Sequence, residues 1–142
     1  MGKDILDLLA RICLSAIFLF EAYTSIKFKS RTKETMLEYG FTWQPELLIY
    51  ITAFALALGG LFLLIGYRPK FAVILLLIYW IPVTLAVYKF WDAPPGRHNI
   101  QSIMFMKNVA IIGGLLMVYI HGTGTFSVRR FFGVPIGPKE KW

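Results

Sequence analysis

Residues 47–66 read LLIYITAFALALGGLFLLIG, a run without a single charged side chain. A helix of about 20 residues is about 30 Å long, which matches the hydrocarbon core of a bilayer. The connection that follows, Gly66-Tyr67-Arg68-Pro69-Lys70, is very short, and another apolar run begins at Phe71. Two apolar runs joined so tightly predict a pair of antiparallel membrane-spanning helices.

The chain contains four such runs, at about residues 5–26, 47–66, 71–91 and 100–122. Because lipid offers no hydrogen-bond partners to the backbone, each span should be helical. We therefore predict an all-α membrane protein, a four-transmembrane-helix bundle that forms a single domain over residues 1–142. The polar stretch after the first span predicts a short surface helix before Gly40, and a basic tail follows at residues 125–142.

The amino-acid composition is consistent with this class. Hydrophobic residues make up 57% of the 142 positions and charged residues 16%, whereas a typical soluble domain has about 45–50% and about 25%. The net charge of +7 comes from 15 Lys and Arg against 8 Asp and Glu. Most of the basic residues lie between the apolar runs, where anionic lipid attracts them. Since no basic face with stacking aromatic residues is present, we expect no nucleic-acid partner.

Four spans place both termini on the same side of the membrane. The 15 basic residues divide almost evenly between the two sides, so the count alone decides little. The short connection containing Arg68 and Lys70 and the pair Arg129-Arg130 favour cytoplasmic termini in the cell membrane. The N-terminus does not resemble a signal peptide, because Asp4 and Asp7 interrupt its basic region.

Residues that commonly catalyse reactions or bind metals are few. The single cysteine, Cys13, excludes an intrachain disulfide and a dithiol relay. His98 and His121 lie at opposite ends of the last span and cannot share a metal ion, so we expect no metal. The sequence has no nucleophile–base pair and no dinucleotide motif, so we expect no stand-alone enzyme activity. A quinone-linked active site stays compatible with the sequence, because quinone sites carry no strict motif.

Ionisable residues inside the spans are the main candidates for a site, because a charge at a helix centre costs about 2.5–3.5 kcal/mol on insertion scales. Arg11 lies about 9 Å into the first span. It either reaches back to the interface or anchors an anion or a partner inside the bundle. Glu21 lies equally far from the other end and is too short to reach water easily. Because successive spans run in opposite directions, Glu21 lies at the same membrane depth as Lys107 and Asn108. We therefore predict a Glu21–Lys107 ion pair with Asn108 as a hydrogen-bond partner.

The polar residues at this depth, Glu21, Lys107 and Asn108, are compatible with two roles. A buried ion pair or hydrogen-bonded network would fix the bundle, whereas a functional site would handle protons or bind a headgroup. Trp91 is expected in the interfacial aromatic belt, and the deeper Trp80 either packs in the core or lines a cavity for a flat ring. The pairs Gly59-Gly60 and Gly113-Gly114 are expected to let helices pack closely.

The most specific motif of the chain begins at Phe105 and reads Phe105-Met106-Lys107-Asn108-Val109-Ala110-x-x-Gly113-Gly114-Leu115-Leu116. Further motifs are Arg11, Phe18-Leu19-Phe20, Lys27, Leu58-Gly59-Gly60-Leu61, Leu64-Ile65-Gly66, Phe90-Trp91-Asp92-x-Pro94 and Gly122-x-Gly124-x-x-Ser127. Over nearly the whole chain, these motifs resemble the DoxX family of small four-span membrane proteins.

The resemblance implies a four-helix membrane fold and, more loosely, a link to redox chemistry. The family takes its name from a subunit of an archaeal quinone-linked thiosulfate oxidoreductase, and other members look like membrane partners in redox-stress assemblies. Three positions depart from the family pattern: Leu56 stands where a Glu is common, and Tyr88 and Met104 stand where His is common. Glu21 is a candidate to replace the missing carboxylate.

We therefore expect an integral membrane subunit tied to respiratory or oxidative-stress chemistry. It would bind a quinone or a lipid between its helices, or dock an oxidoreductase, and the candidate ligand-binding residues are Arg11, Glu21, Trp80, Trp91, Lys107 and Asn108. The alternative is a purely structural membrane protein, a scaffold or assembly partner that packs against another protein or a second copy without binding a small molecule. A transporter or channel ranks last, because the chain shows neither an inverted repeat nor a series of acidic groups.

Overall fold

The described part of the chain is all-helical. The computed structural model describes residues 2–122, and the basic tail expected at residues 125–142 lies outside them. The helices are α1 (Gly2–Lys27), α2 (Lys29–Glu38), α3 (Pro45–Ile65), α4 (Pro69–Val87) and α5 (His98–His121), with a short 3₁₀ turn at Phe90–Asp92. The predicted all-α fold is confirmed, and so is the short helix before Gly40, which is α2.

Within residues 2–122, three helical segments are long and apolar enough to cross a membrane, namely α3, α4 extended to Asp92, and α5. Helix α1 has 26 residues, a sufficient length, but carries Asp7, Arg11 and Glu21 among its apolar side chains. The embedded segments place this chain in direct contact with the lipid bilayer.

Local chemistry sets the helix boundaries of the central hairpin. Pro45 and Pro69 stand in the first turns of α3 and α4, where a missing N–H costs no hydrogen bond. Gly66 ends α3 in the left-handed conformation at φ 74°, and its N–H binds the Phe62 carbonyl. The chain therefore reverses within three residues, and α3 and α4 pack side by side as the sequence predicts.

The long helices form a ring in the order α1, α3, α4, α5. Neighbours are antiparallel: for α1 and α3, Arg11 meets the Leu64 carbonyl while Leu19 lies against Gly60. The seams α1/α3, α3/α4 and α4/α5 are extensive, whereas α1 and α5 touch at few positions. The core inside the ring includes Phe18, Leu56, Leu63, Leu76, Trp80 and Leu115. The bundle thus has three tight seams and one loose seam.

Glycines allow the closest helix approaches. A Cβ atom at Gly59 would lie 2.8 Å from Leu76 Cγ, and one at Gly60 would lie 3.1 Å from Leu19 Cδ2. A Cβ atom at Gly114 would lie 3.0 Å from Leu14 Cδ2. Gly113 packs against no described helix of this chain, because no atom of a described neighbour would lie within 4 Å of a Cβ atom there, and a packing role against another protein stays a prediction. The side of α5 that carries Gly113 faces away from the ring.

Candidate functional site

The loose seam between α1 and α5 closes where Leu14 meets Gly114. Glu21 follows Leu14 by two helical turns, and Lys107 precedes Gly114 by two turns. Because the two helices are antiparallel, both side chains lie about 10 Å from this contact and on the same faces of their helices as the contact residues. Glu21 and Lys107 therefore stand at the same level on the two sides of the seam.

The predicted ion pair between Glu21 and Lys107 is wrong. Neither side chain belongs to a salt bridge within the described residues. Lys107 is exposed, whereas Glu21 is half-buried. Because α1 and α5 make few contacts with each other, their packing does not bring the carboxylate and the ammonium group together. We call the loosely packed seam at this level the α1/α5 crevice.

Trp80 lies one helical turn from the level of Glu21. Its indole packs edge-to-face on Phe18, with ring centroids 5.0 Å apart, and Phe18 precedes Glu21 by three residues on α1. Trp80 is only 6% exposed. Its Nε1 is buried and has no hydrogen-bond partner in residues 2–122. A buried donor left unsatisfied costs about 1–3 kcal/mol.

Asn108 stands beside Lys107 and is 9% exposed, so α5 presents an amide next to its charged residue. Its side chain makes no hydrogen bond with another described residue.

Tyr79 and Tyr88 of the α4 segment lie close enough to Glu21 to interact electrostatically with its carboxylate. Sequence reasoning missed Tyr79, because one tyrosine within an apolar run carries no distinguishing pattern.

Arg11 lies at the opposite end of α1 and is fully buried, at 0% exposure. Its Nε donates to Asp7 Oδ2 at 3.2 Å, and its Nη1 donates to the Leu64 carbonyl at 3.4 Å. The expectation that Arg11 reaches back to the interface is wrong, because its guanidinium is enclosed by the protein. Leu64 stands in the last turn of α3, where carbonyls lack amide partners, so Arg11 caps that helix. Its distance from Glu21 is about 15 Å along α1.

Trp91 lies in the turn that follows α4 rather than inside the ring of helices. It is exposed in the 3₁₀ turn and packs edge-to-face on Phe90 and Phe105, with centroid distances of 5.2 and 5.9 Å. His98 packs on Phe90 in the same cluster. Trp91 and Trp80 thus belong to two separate aromatic clusters within the described chain, and the structure does not bring them into one stacking surface.

The α1/α5 crevice combines a carboxylic acid, an ammonium group, an amide and an indole N–H between otherwise apolar helices. These groups are Glu21, Lys107, Asn108 and Trp80. Such a set can donate hydrogen bonds to a carbonyl or phosphate oxygen and can exchange a proton through the carboxyl group. Across residues 2–122, no three His, Cys, Asp or Glu side chains come together as metal ligands.

Comparison with known families gives a match to the model of the DoxX family over residues 6–89. The matched segment contains Arg11, Glu21 and Trp80. Lys107 and Asn108 lie beyond it.

Two proteins of Escherichia coli (strain K12) are similar to this chain along most of their length. Inner membrane protein YphA is 24% identical over 129 residues, which cover 91% of this chain and 91% of that protein. Inner membrane protein YqjF is 25% identical over 140 residues, which cover 99% and 97%. The ER-derived vesicles protein ERV29 of Saccharomyces cerevisiae is 28% identical over 101 residues, but the match covers only 32% of its length. No solved structure gives a significant match.

Proposed function

Since this chain belongs to the DoxX family, we propose that this integral membrane protein holds the ring of a quinone in the α1/α5 crevice, as a subunit of a redox assembly. The observation that carries the proposal is Trp80 Nε1, a buried donor that has no acceptor within residues 2–122. A quinone carbonyl is an acceptor that reaches such a depth together with its apolar tail. Binding would satisfy the indole N–H and bury the ring among apolar side chains.

The other polar groups of the crevice suit the same ligand. Lys107 would donate to a quinone carbonyl, and Asn108 can donate to a quinone or accept from a quinol. Reduction of a quinone to a quinol takes two electrons and two protons. The electrons would come from a docked oxidoreductase, and Glu21 would relay the two protons one after the other from its half-buried position.

We extend the proposal to the arrangement in the membrane. The ring geometry supports a single domain of four spans, with α1 as the first, because α1 is long enough and packs against α3 along an extensive seam. Both termini would then lie on one side, which we assign to the cytoplasm of a cell whose plasma membrane holds the protein. The names of the two E. coli relatives as inner membrane proteins support this location.

The first test is the content of quinone in the purified protein. We would purify the chain in mild detergent, extract it, and measure quinones and phospholipids by mass spectrometry against mock-purified membranes. We expect about one quinone per chain. Trp80→Phe keeps the ring but removes the N–H, and should lower the quinone content about fivefold for one lost hydrogen bond. Glu21→Gln and Lys107→Met should also lower it.

Trp91→Phe is the matched control, since it makes the same substitution outside the crevice and should leave the quinone content unchanged. Equal quinone content in all variants would contradict the site. A stoichiometric phospholipid in place of the quinone would indicate a lipid-handling function. If neither quinone nor phospholipid exceeds its amount in the mock-purified membranes, and the protein forms a discrete dimer, the results would favour the alternative of a scaffold. The open surface at Gly113 on α5 is the observation that supports that alternative.

A further inference from the structure

A second opening lies on the other side of α1, along the outside of its tight seam with α3. It is an open groove of about 620 Å³, lined by Leu19, Ala22, Tyr23, Ile26, Tyr50, Ala53, Phe54 and Ala57. The alanines of both helices create the space, because their methyl groups leave room between larger neighbours. From Leu19 to Ile26 the groove follows α1 for about 10 Å. Its walls are almost entirely apolar.

Two lysines mark the end of the groove nearest α2. Lys27 Nζ lies 5.2 Å from the ring centroid of Tyr23, which belongs to the α1 wall. Lys29 Nζ lies 4.8 Å from the ring centroid of Tyr50, which belongs to the α3 wall. Each wall of the groove therefore ends in a tyrosine ring covered by an ammonium group, a cation–π arrangement that holds both cations at the mouth.

The two lysines differ in their remaining partners. Lys29 Nζ donates to the Tyr50 hydroxyl and to Glu46 Oε2, both at 3.3 Å, and these groups raise the pKa of Lys29 above its usual value. Glu46 also accepts from Lys33 at 3.0 Å. Lys27 belongs to no salt bridge within residues 2–122. Among these groups, the single carboxylate of Glu46 faces the ammonium groups of Lys29 and Lys33, and Lys27 adds a further positive charge, so the cluster at the mouth of the groove is net positive.

We propose that this groove binds one acyl chain of an anionic phospholipid, whose phosphate lies at Lys27. The apolar walls match the chain, and the positive mouth matches the phosphate. The membrane depth of Lys27 is also consistent with a phosphate partner. Lys27 is the last residue of α1, and the end of a spanning helix lies at the level of the lipid headgroups. The site is separate from the α1/α5 crevice and does not depend on quinone binding.

Native mass spectrometry of the full chain tests this assignment. The detergent-solubilised, delipidated protein would be titrated with phosphatidylglycerol or phosphatidylcholine, both with dioleoyl chains. We expect about fivefold tighter binding of phosphatidylglycerol, the factor expected for one lysine beside anionic lipid. Lys27→Gln should abolish this preference and leave phosphatidylcholine binding unchanged. Ala57→Leu, which fills the groove, should weaken both lipids.

Lys89→Gln is the matched control, because it removes an exposed lysine from the same membrane face outside the groove. It should keep the fivefold preference. Free glycerol 3-phosphate at the concentration of the lipid should not compete, since it has no chain to place in the groove. Equal preference in wild type and Lys27→Gln would overturn the proposal, and so would displacement of the lipid by glycerol 3-phosphate.

Discussion

Arg11 shows how an apolar helix can carry a fully buried cation. Its guanidinium binds Asp7 on its own helix and the Leu64 carbonyl on α3. A planar group with several fixed donors can serve both acceptors at once, which a single ammonium group would do less well. The negative end of the α3 dipole adds a favourable electrostatic interaction. Arg11 therefore joins two helices at the end of the bundle opposite the crevice.

Replacement of Arg11 by Met is expected to destabilise the protein by about 2–3 kcal/mol. The loss of one partner from a buried ion pair costs about 3–5 kcal/mol, and a value at or just below this range is expected because Asp7 is partly exposed. Thermal unfolding followed by size-exclusion chromatography in detergent would measure the change. Arg31→Met on the exposed surface of α2 is the control and should leave the unfolding temperature unaltered. Equal stability of both variants would contradict the capping role.

The sequence identified the residues of the crevice more reliably than their partners. The cost of charge in lipid singled out Glu21 and Lys107, and counting residues placed them at one depth. The lateral distance between two helices depends on how they pack, which residue spacing does not encode, so the ion pair was wrongly expected. The partner of Arg11 is a backbone carbonyl, and no side-chain pattern marks such an acceptor.

At the scale of whole elements, the two glycine pairs look alike in the sequence but stand in different surroundings. Gly59 on α3 faces Leu76 of α4 at a distance that excludes a Cβ atom, whereas Gly113 on α5 faces open space. The difference arises because α3 has neighbours on both sides in the ring, while α5 has one tight seam and one loose one. The same Gly-Gly motif thus allows close packing on α3, which has two tight neighbours, but leaves an open surface at Gly113 on α5.

Gly59→Ala is expected to lower stability by about 1–3 kcal/mol, because the added methyl group overpacks the α3/α4 seam at Leu76. Gly113→Ala should instead be neutral or raise stability by up to about 1 kcal/mol, because alanine favours the helix and the methyl group meets no described neighbour. Thermal unfolding in the same detergent would compare them. A loss of stability in Gly113→Ala, in the monomeric protein, would contradict the surroundings described for α5.

The helical hairpin of α3 and α4 was predictable because two strong signals agree there. An uncharged run of membrane length precedes Gly66, and the connection of a few residues leaves only an antiparallel arrangement. Helix α2 was also predictable as a short polar segment that ends before Gly40. Its attachment to α3 was not, because the bonds from Lys29 and Lys33 to Glu46 join residues with no common spacing in the sequence.

For the whole molecule, the ring of four helices leads to a definite prediction of topology. Starting from Cys13→Ser, single cysteines would be introduced by Arg31→Cys, Gly96→Cys or Arg68→Cys, all at exposed positions. A membrane-impermeant maleimide applied to right-side-out vesicles should label positions 31 and 96. It should label position 68 only after the vesicles are opened, because an odd number of spans separates it from the other two.

Labelling of positions 31 and 68 from the same side would contradict a spanning α3. Labelling of position 68 alone in intact vesicles would keep α3 and α4 as spans but reverse the assignment of cytoplasmic termini. A protein with no introduced cysteine is the control for background reaction.

The order of helices around the ring has a consequence for how the protein is made. Helix α1 leaves the ribosome first, yet the Leu64 carbonyl that accepts from Arg11 lies 53 residues further along. At a synthesis rate of roughly 5–20 residues per second, α1 waits roughly 3–10 seconds for that acceptor. During this time Arg11 has Asp7 on its own helix but lacks its acceptor on α3, so we expect α1 to linger at the translocon until the α3–α4 hairpin arrives. Helix α5 comes last, and the seam it closes with α1 is the loosest in the bundle.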